Sequence, residues 1–212
     1  MKKYLILLMI LCLFTTEALA GSGIKAAILA KNRSAGGGSE NIGNTSNGGD
    51  TQAMADDYMY CVRLTSTPAH DGSVDSITFT GVMAGDASGS VYLSIYTNGS
   101  AKPGTLVANS NVGPIEVTYN GGAAHDITYN YTGTKPSVTS GATYWVCVNN
   151  DGTTINTSFL YTFGSGTCAG TGYCSVTEAN AHNNFPADWS AITPDFENDG
   201  LWRGKLYFTY SY

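Results

Sequence analysis

Nine runs of six to eight residues, rich in β-branched and aromatic side chains, follow one another between residues 58 and 211. They span 58–65, 74–80, 90–97, 104–109, 112–118, 125–131, 143–149, 157–163 and 205–211, and most alternate between apolar and polar positions. Successive side chains of a strand point to opposite faces, so alternation of this kind marks strands with one buried face. Asn98-Gly99, Asn120-Gly121-Gly122 and Asp151-Gly152 punctuate the runs. Each supplies residues that tolerate the positive φ of a tight turn. No apolar period of 3.6 residues persists. The spacing predicts an all-β chain, a jelly-roll-like antiparallel β-sandwich of about nine strands.

Composition narrows the alternatives. Charged residues make up 12% of the 212 residues, about half the usual share, and 26 are glycine. A coiled coil or long helical protein needs far more Glu, Lys, Arg and Leu. General disorder is excluded by the abundance of Tyr, Val, Ile and Thr, which can bury enough surface to order the chain.

Residues 1–20 read as a signal peptide. Lys2 and Lys3 form a basic start, Leu5 to Phe14 an apolar stretch too short to span a bilayer, and Ala18-Leu19-Ala20 a cleavage site. A secreted, extracellular protein exported in the bacterial manner is expected. No later apolar run is long enough to cross a membrane, so no membrane insertion of the mature chain is expected. Cleavage takes two of the 10 basic residues and one of the 16 acidic ones, leaving 8 against 15 and a net charge of −7. The remaining basic residues are scattered singly, so nucleic acid is not an expected partner.

Residues 21–52 read as a flexible Gly/Ser/Asn-rich segment, with the β-sandwich domain at 53–212. Eleven of the fifteen residues from Gly36 to Asp50 are Gly, Ser or Asn, and such a stretch cannot offset its ordering entropy by burial. Ile24 to Ala30 is an apolar patch that fits either a frayed terminus or a strand pairing with a neighbouring subunit.

Four cysteines follow the cleavage site: Cys61, Cys147, Cys168 and Cys174. An even number in an exported chain reads as two disulfides, with three pairings to choose from. Cys168 and Cys174 suit a local clip in a Gly-rich stretch, which leaves Cys61 with Cys147. Alternation agrees. Tyr60, Val62 and Leu64 share one parity and Cys61 takes the other; Tyr144, Val146 and Val148 share one parity, and Trp145 and Cys147 take the other. The two cysteines meet on one face if their strands are neighbours. A four-cysteine zinc site calls for two close pairs, and only one is present.

Ser90 to Thr97 followed by Pro103-Gly104-Thr105-Leu106-Val107-Ala108, and then Gly141-Ala142-Thr143-Tyr144-Trp145-Val146, resembles a pattern of secreted bacterial jelly-roll modules. Ile42 to Thr45 and Tyr207 to Tyr212 are similar to it as well. The resemblance covers about residues 42–212 and implies the sandwich fold, with an accessory, carbohydrate-binding or adhesive role. The cysteines and the stretch 164–202 depart from the pattern.

Motifs for catalysis are thin. His70, His125 and His182 are far apart, and neither H-E-x-x-H, G-x-S-x-G nor a P-loop occurs. The chain is expected to be non-catalytic and to bind a polysaccharide or cell-surface ligand. The alternative is a structural subunit of an extracellular matrix, coat or filament, with self-assembly through the N-terminal segment. Aromatic faces stack on the apolar C–H faces of sugars, and loops of a sandwich gather binding residues. Trp189, Trp202 and Tyr173, in the irregular stretch 164–204, are therefore the candidate ligand-binding residues, with Tyr92, Tyr96 and Trp145 next. Asp195, Glu197 and Asp199, followed by Gly200, resemble the start of a calcium loop, set against a plain acidic turn. Calcium is the one cofactor these residues suggest.

Overall fold

The computed structural model describes residues 37–46, 50–53, 58–84, 89–117, 123–151, 156–161, 175–179, 185–194, 196–198 and 205–212. The chain divides into two units, Met1–Gly38 and Ser39–Tyr212, and every described strand lies in the second. The expected signal peptide, the Ile24–Ala30 patch, and Cys168, Tyr173, Cys174 and Trp202 fall outside the described residues.

Fourteen strands are present among the described residues: β1 (Ser39–Asn44), β2 (Asp50–Ala53), β3 (Tyr58–Arg63), β4 (Gly72–Ala84), β5 (Gly89–Asn98), β6 (Pro103–Leu106), β7 (Val112–Val117), β8 (His125–Asn130), β9 (Ser137–Val138), β10 (Tyr144–Asp151), β11 (Asn156–Tyr161), β12 (Ser175–Ala179), β13 (Phe196–Asn198) and β14 (Leu206–Ser211). All nine expected strands occur. The other five are β1, β2, β9, β12 and β13, each six residues or shorter.

The strands form two seven-stranded antiparallel sheets. The first runs β1-β14-β4-β11-β2, with β8 and β9 also paired to β4. The second runs β13-β12-β3-β10-β5-β6, with β7 also paired to β5. Between the sheets lies the main core. Ile77 and Phe79 of β4 and Phe208 of β14 meet Leu93 and Ile95 of β5 and Val146 and Val148 of β10. The fold is therefore an antiparallel β-sandwich, with more and shorter strands than the sequence pattern counts.

β1 lies in, and β2 begins in, the stretch expected to be flexible, residues 21–52. β1 pairs with β14 over six residue pairs, from Ser39 opposite Ser211 to Asn44 opposite Leu206, and Ile42 is buried in the main core. β2 pairs with β11. The sequence Ser-Glu-Asn-Ile-Gly-Asn has almost no intrinsic strand preference. Pairing with β14 and burial of one isoleucine impose the extended backbone. Gly43 sits at φ +122°, and a Cβ there would lie 2.5 Å from the Leu206 carbonyl oxygen. No other residue fits that position without moving β14.

A second core forms on the outer face of the second sheet. Met59 and Cys61 of β3, Tyr96 of β5, Trp145 and Cys147 of β10, and Val176 of β12 are joined there by Phe185 and Trp189. Cys61 and Cys147 stand directly opposite each other in the β3–β10 ladder and are disulfide-bonded, with Cα atoms 4.0 Å apart. The bond closes a loop across 86 residues, so on the chain-entropy view it stabilises by roughly 4–5 kcal/mol. Replacing both cysteines by alanine should lower the unfolding free energy by about 2–5 kcal/mol. Urea unfolding of the double variant beside the untreated protein measures the loss.

Candidate functional site

The outer faces of the two sheets differ. On the second sheet the face is covered by a strap, residues 185–194. Trp189 N–H donates to the Gly104 carbonyl at 3.1 Å and Leu106 N–H to the Ala187 carbonyl at 2.9 Å. The Tyr96 hydroxyl donates to the Pro186 carbonyl at 2.8 Å. Lys102 Nζ donates to the Ser190 carbonyl at 3.1 Å and the Ile192 carbonyl at 2.6 Å. The exposed Asp188 carboxylate is held below its ordinary pKa by the Ser190 hydrogen bonds and also accepts from Thr105.

Trp189 is 0% exposed and meets Tyr96 edge-on, ring centroids 6.2 Å apart. Burial pushes the Tyr96 hydroxyl pKa up, while the Trp189 and Ser94 side chains pull it the other way. The expected ligand-binding role of Trp189 is thus corrected: a ring with no exposure has no face for a sugar, and it caps the second core instead. Tyr96 and Trp145, the next candidates, are also fully buried, and Tyr92 packs partly buried against the same cluster. The Arg63 guanidinium lies 5.8 Å from the Trp145 ring centroid and donates to the Ser100 carbonyl. Desolvation lowers its pKa.

Of the expected calcium ligands, Glu197 lies in β13 opposite Val176, and Asp195 and Asp199 fall outside the described residues. Among the described residues no three His, Cys, Asp or Glu side chains gather in a way that could hold a metal ion. No helix among them is long and apolar enough to cross a membrane.

On the outer face of the first sheet, the described rows across β1, β14, β4 and β8 are polar but for the Tyr207 ring. The pairing registers of β1, β14, β4 and β8 fix its layout as rows across four strands. One row reads Gly43, Tyr207, Thr78, Thr128. The next reads Asn41, Thr209, Ser76, Asn130, and on the other side Thr80 stands opposite Asp126. Asn41, Asp126, Thr128 and Asn130 are exposed, and Tyr207, Thr209 and Ser76 half-buried.

These side chains bond laterally. Thr78 and Thr128 hydroxyls are 2.9 Å apart, and the Thr209 hydroxyl donates to Asn41 Oδ1 at 2.7 Å. The Asp126 carboxylate accepts from the Thr80 hydroxyl and from Lys205 Nζ. Nearby, Lys135 Nζ is 2.6 Å from Asp75 Oδ1, which also accepts from the Ser211 hydroxyl. Thr78 and Thr80 are buried despite lying on this face, so their hydroxyl positions are fixed. Gly43 leaves the space beside Tyr207 free of a side chain.

At the edge of the same sheet, both oxygens of the Glu40 carboxylate are taken. The Tyr210 and Tyr212 hydroxyls donate to them at 2.9 and 3.3 Å, and the His70 ring stacks on Tyr212 at 4.1 Å. These contacts tie β1 to the end of β14, to Tyr212 and to the His70 ring.

Among the described residues, none of the candidate binding residues expected from the sequence lies on this face. The signal was present in the parity of β4 and β14, where Thr78, Thr80, Tyr207 and Thr209 alternate with the core residues Ile77, Phe79, Leu206 and Phe208. No protein-family model matches the chain, and no curated protein matches it.

Two outcomes are expected. Trp189→Ala should lower the unfolding free energy by about 3–5 kcal/mol, as truncation of a buried aromatic does; denaturant unfolding reads it, and a loss within error would remove the ring from the core. The Asp126 carboxyl feels partial desolvation, which raises its pKa, but the Lys205 and Thr80 hydrogen bonds outweigh it and hold the pKa below the ordinary value. A depressed folded pKa gives stability that is present above the ordinary carboxylate range and lost as pH falls through the folded value. The stability gap between the native protein and Asp126→Asn should therefore be seen at neutral pH and close in acid.

Proposed function

We propose that this is an exported, non-catalytic β-sandwich that binds a polysaccharide or a glycan-bearing cell surface, using the outer face of the first sheet. The observation that carries this reading is the ordered array of hydroxyl, amide and carboxylate groups around Tyr207. Glycans present alternating hydroxyl edges and apolar C–H faces. The hydroxyls need fixed donors and acceptors, and the C–H faces need an aromatic ring. The Tyr207 ring supplies the second, and Thr128, Asn130, Asn41 and Asp126 supply the first. Lateral bonding among the threonines means that little side-chain entropy remains to be lost on binding. The resemblance of residues 90–108 and 141–146 to secreted jelly-roll modules supports the same role.

A second reading, a structural or assembly subunit, is favoured by β1. That strand lies at the end of the first sheet and pairs over its whole length with β14; on its other edge the Gly43 N–H donates to Ser66 Oγ at 2.8 Å, so a further strand would have to pair beside Ser39 and Asn41.

The two readings are told apart by size-exclusion chromatography with light scattering, followed by a glycan array. A monomer that binds glycan supports the first; a concentration-dependent ladder with no glycan bound supports the second. Tyr207→Ala should weaken glycan binding by roughly tenfold or more, on the scale of base stacking on aromatic rings, with little change in melting temperature.

A further inference from the structure

We infer that the hydrogen-bonding centre of the Tyr207 face is the Asp126 carboxylate, and that it selects glycans carrying hydroxyls on two adjacent ring carbons. This rests on the reading of that face as a glycan site. Asp126 is held by one partner on each oxygen: the Thr80 hydroxyl donates to Oδ1 and Lys205 Nζ to Oδ2. The Thr80 N–H in turn donates to the Lys205 carbonyl at 3.0 Å, so both partners belong to one row of the sheet. Thr80 is buried, which fixes its hydroxyl. The plane of the carboxylate is thereby set, while 42% of the Asp126 side chain stays exposed. Asp75 differs, since Lys135 and the Ser211 hydroxyl both fall on its Oδ1.

Each carboxylate oxygen has two lone pairs. Thr80 and Lys205 take one on each oxygen of Asp126, which leaves one on each, side by side. Hydroxyls on adjacent carbons of a sugar ring are spaced to donate to both oxygens at once, in the two-bond manner of a guanidinium on a carboxylate. A lone hydroxyl satisfies only one of them. Bonds to an ionised acceptor are about twice as strong as neutral ones, so the second bond decides between ligands.

The registers also fix the length of the ligand. Tyr207 stands opposite Thr78 and Thr78 opposite Thr128, and Asp126 lies two residues before Thr128 on β8. At the usual strand spacing and rise, the Tyr207 and Asp126 backbones are about 12 Å apart on the diagonal. That is longer than one sugar ring. Tyr207 and Asp126 therefore hold neighbouring sugars of one chain.

The experiment is affinity electrophoresis of the protein in gels containing soluble starch, galactomannan, dextran or laminarin. The backbone rings of the first three keep adjacent hydroxyls on carbons two and three. Laminarin is joined through carbon three and lacks the pair along its chain, yet its rings still offer C–H faces to Tyr207. Retardation by at least one of the first three is expected. Laminarin should retard the protein about tenfold less or weaker still, the loss of one hydrogen bond to a charged group. Asp126→Asn keeps the side-chain shape but exchanges one acceptor oxygen for an N–H donor, and should lose retardation by a similar factor. Asp75→Asn should be retarded as the native protein is.

Retardation by laminarin equal to or stronger than by every other polymer overturns the inference and leaves the glycan reading standing. So does a folded Asp126→Asn protein that is retarded as the native protein is, or an equal loss in Asp75→Asn. Retardation by no polymer overturns both. The polymer comparison uses the native protein alone and decides the inference if Asp126→Asn does not fold.

Discussion

Residues Tyr144 to Asn150 of β10 are buried without exception, and the rest of the sandwich is arranged around that strand. One parity, Tyr144, Val146 and Val148, enters the main core; the other, Trp145 and Cys147, enters the second. A strand buried on both faces exposes no side-chain surface, so both cores must exist for it to be stable. β3 and β5 flank it and share the division. The Cys61–Cys147 bond ties β3 to β10 on the outer face, where a covalent link supplements a core smaller than the main one. The strap follows from this. Without Phe185 and Trp189, the apolar outer parity of three strands would face water.

Much of this was legible in the residues. Alternation in 58–64 and 144–148 put Cys61 and Cys147 at the same parity and so brought them together, because parity is set by backbone geometry alone. The same pattern held the clue to the second core. Tyr96, Trp145 and Cys147 on the side away from the core are too apolar for a solvated face, so a cover was required. What supplied the cover could not be read, because Trp189 sits in a stretch with no period. Its docking depends on carbonyls met by Lys102 and on backbone pairs to β6, contacts between residues more than eighty apart in sequence. β1 was illegible for a related reason: its backbone is fixed by a partner at the far end of the chain, and only Ile42 marks it as buried.

The polar face depends on the same parity rule seen from its other side. In β4 and β14 the core takes Ile77, Phe79, Leu206 and Phe208, which leaves Ser76, Thr78, Thr80, Tyr207 and Thr209 outward. Threonine suits this place twice over. Its branched Cβ favours the strand, and its hydroxyl reaches the neighbouring strand, as Thr78 does to Thr128. Cross-strand hydroxyl bonds therefore stabilise the sheet and orient the surface at once.

The two outer faces differ in what covers them. A strap binds the second sheet because that sheet presents apolar side chains, and removing them from water drives the docking. The same driving force is weaker over the rows of β1, β14, β4 and β8, whose outward groups are hydroxyls, amides and paired charges, even where Thr78 and Thr80 are buried among them. Covering them with chain would cost desolvation without apolar gain. On the proposed reading, a partner for that face returns hydrogen bonds for those it displaces and offers an apolar patch the size of one tyrosine ring. That demand is met by a molecule built of hydroxyls around C–H faces far better than by a peptide segment with an aliphatic stripe.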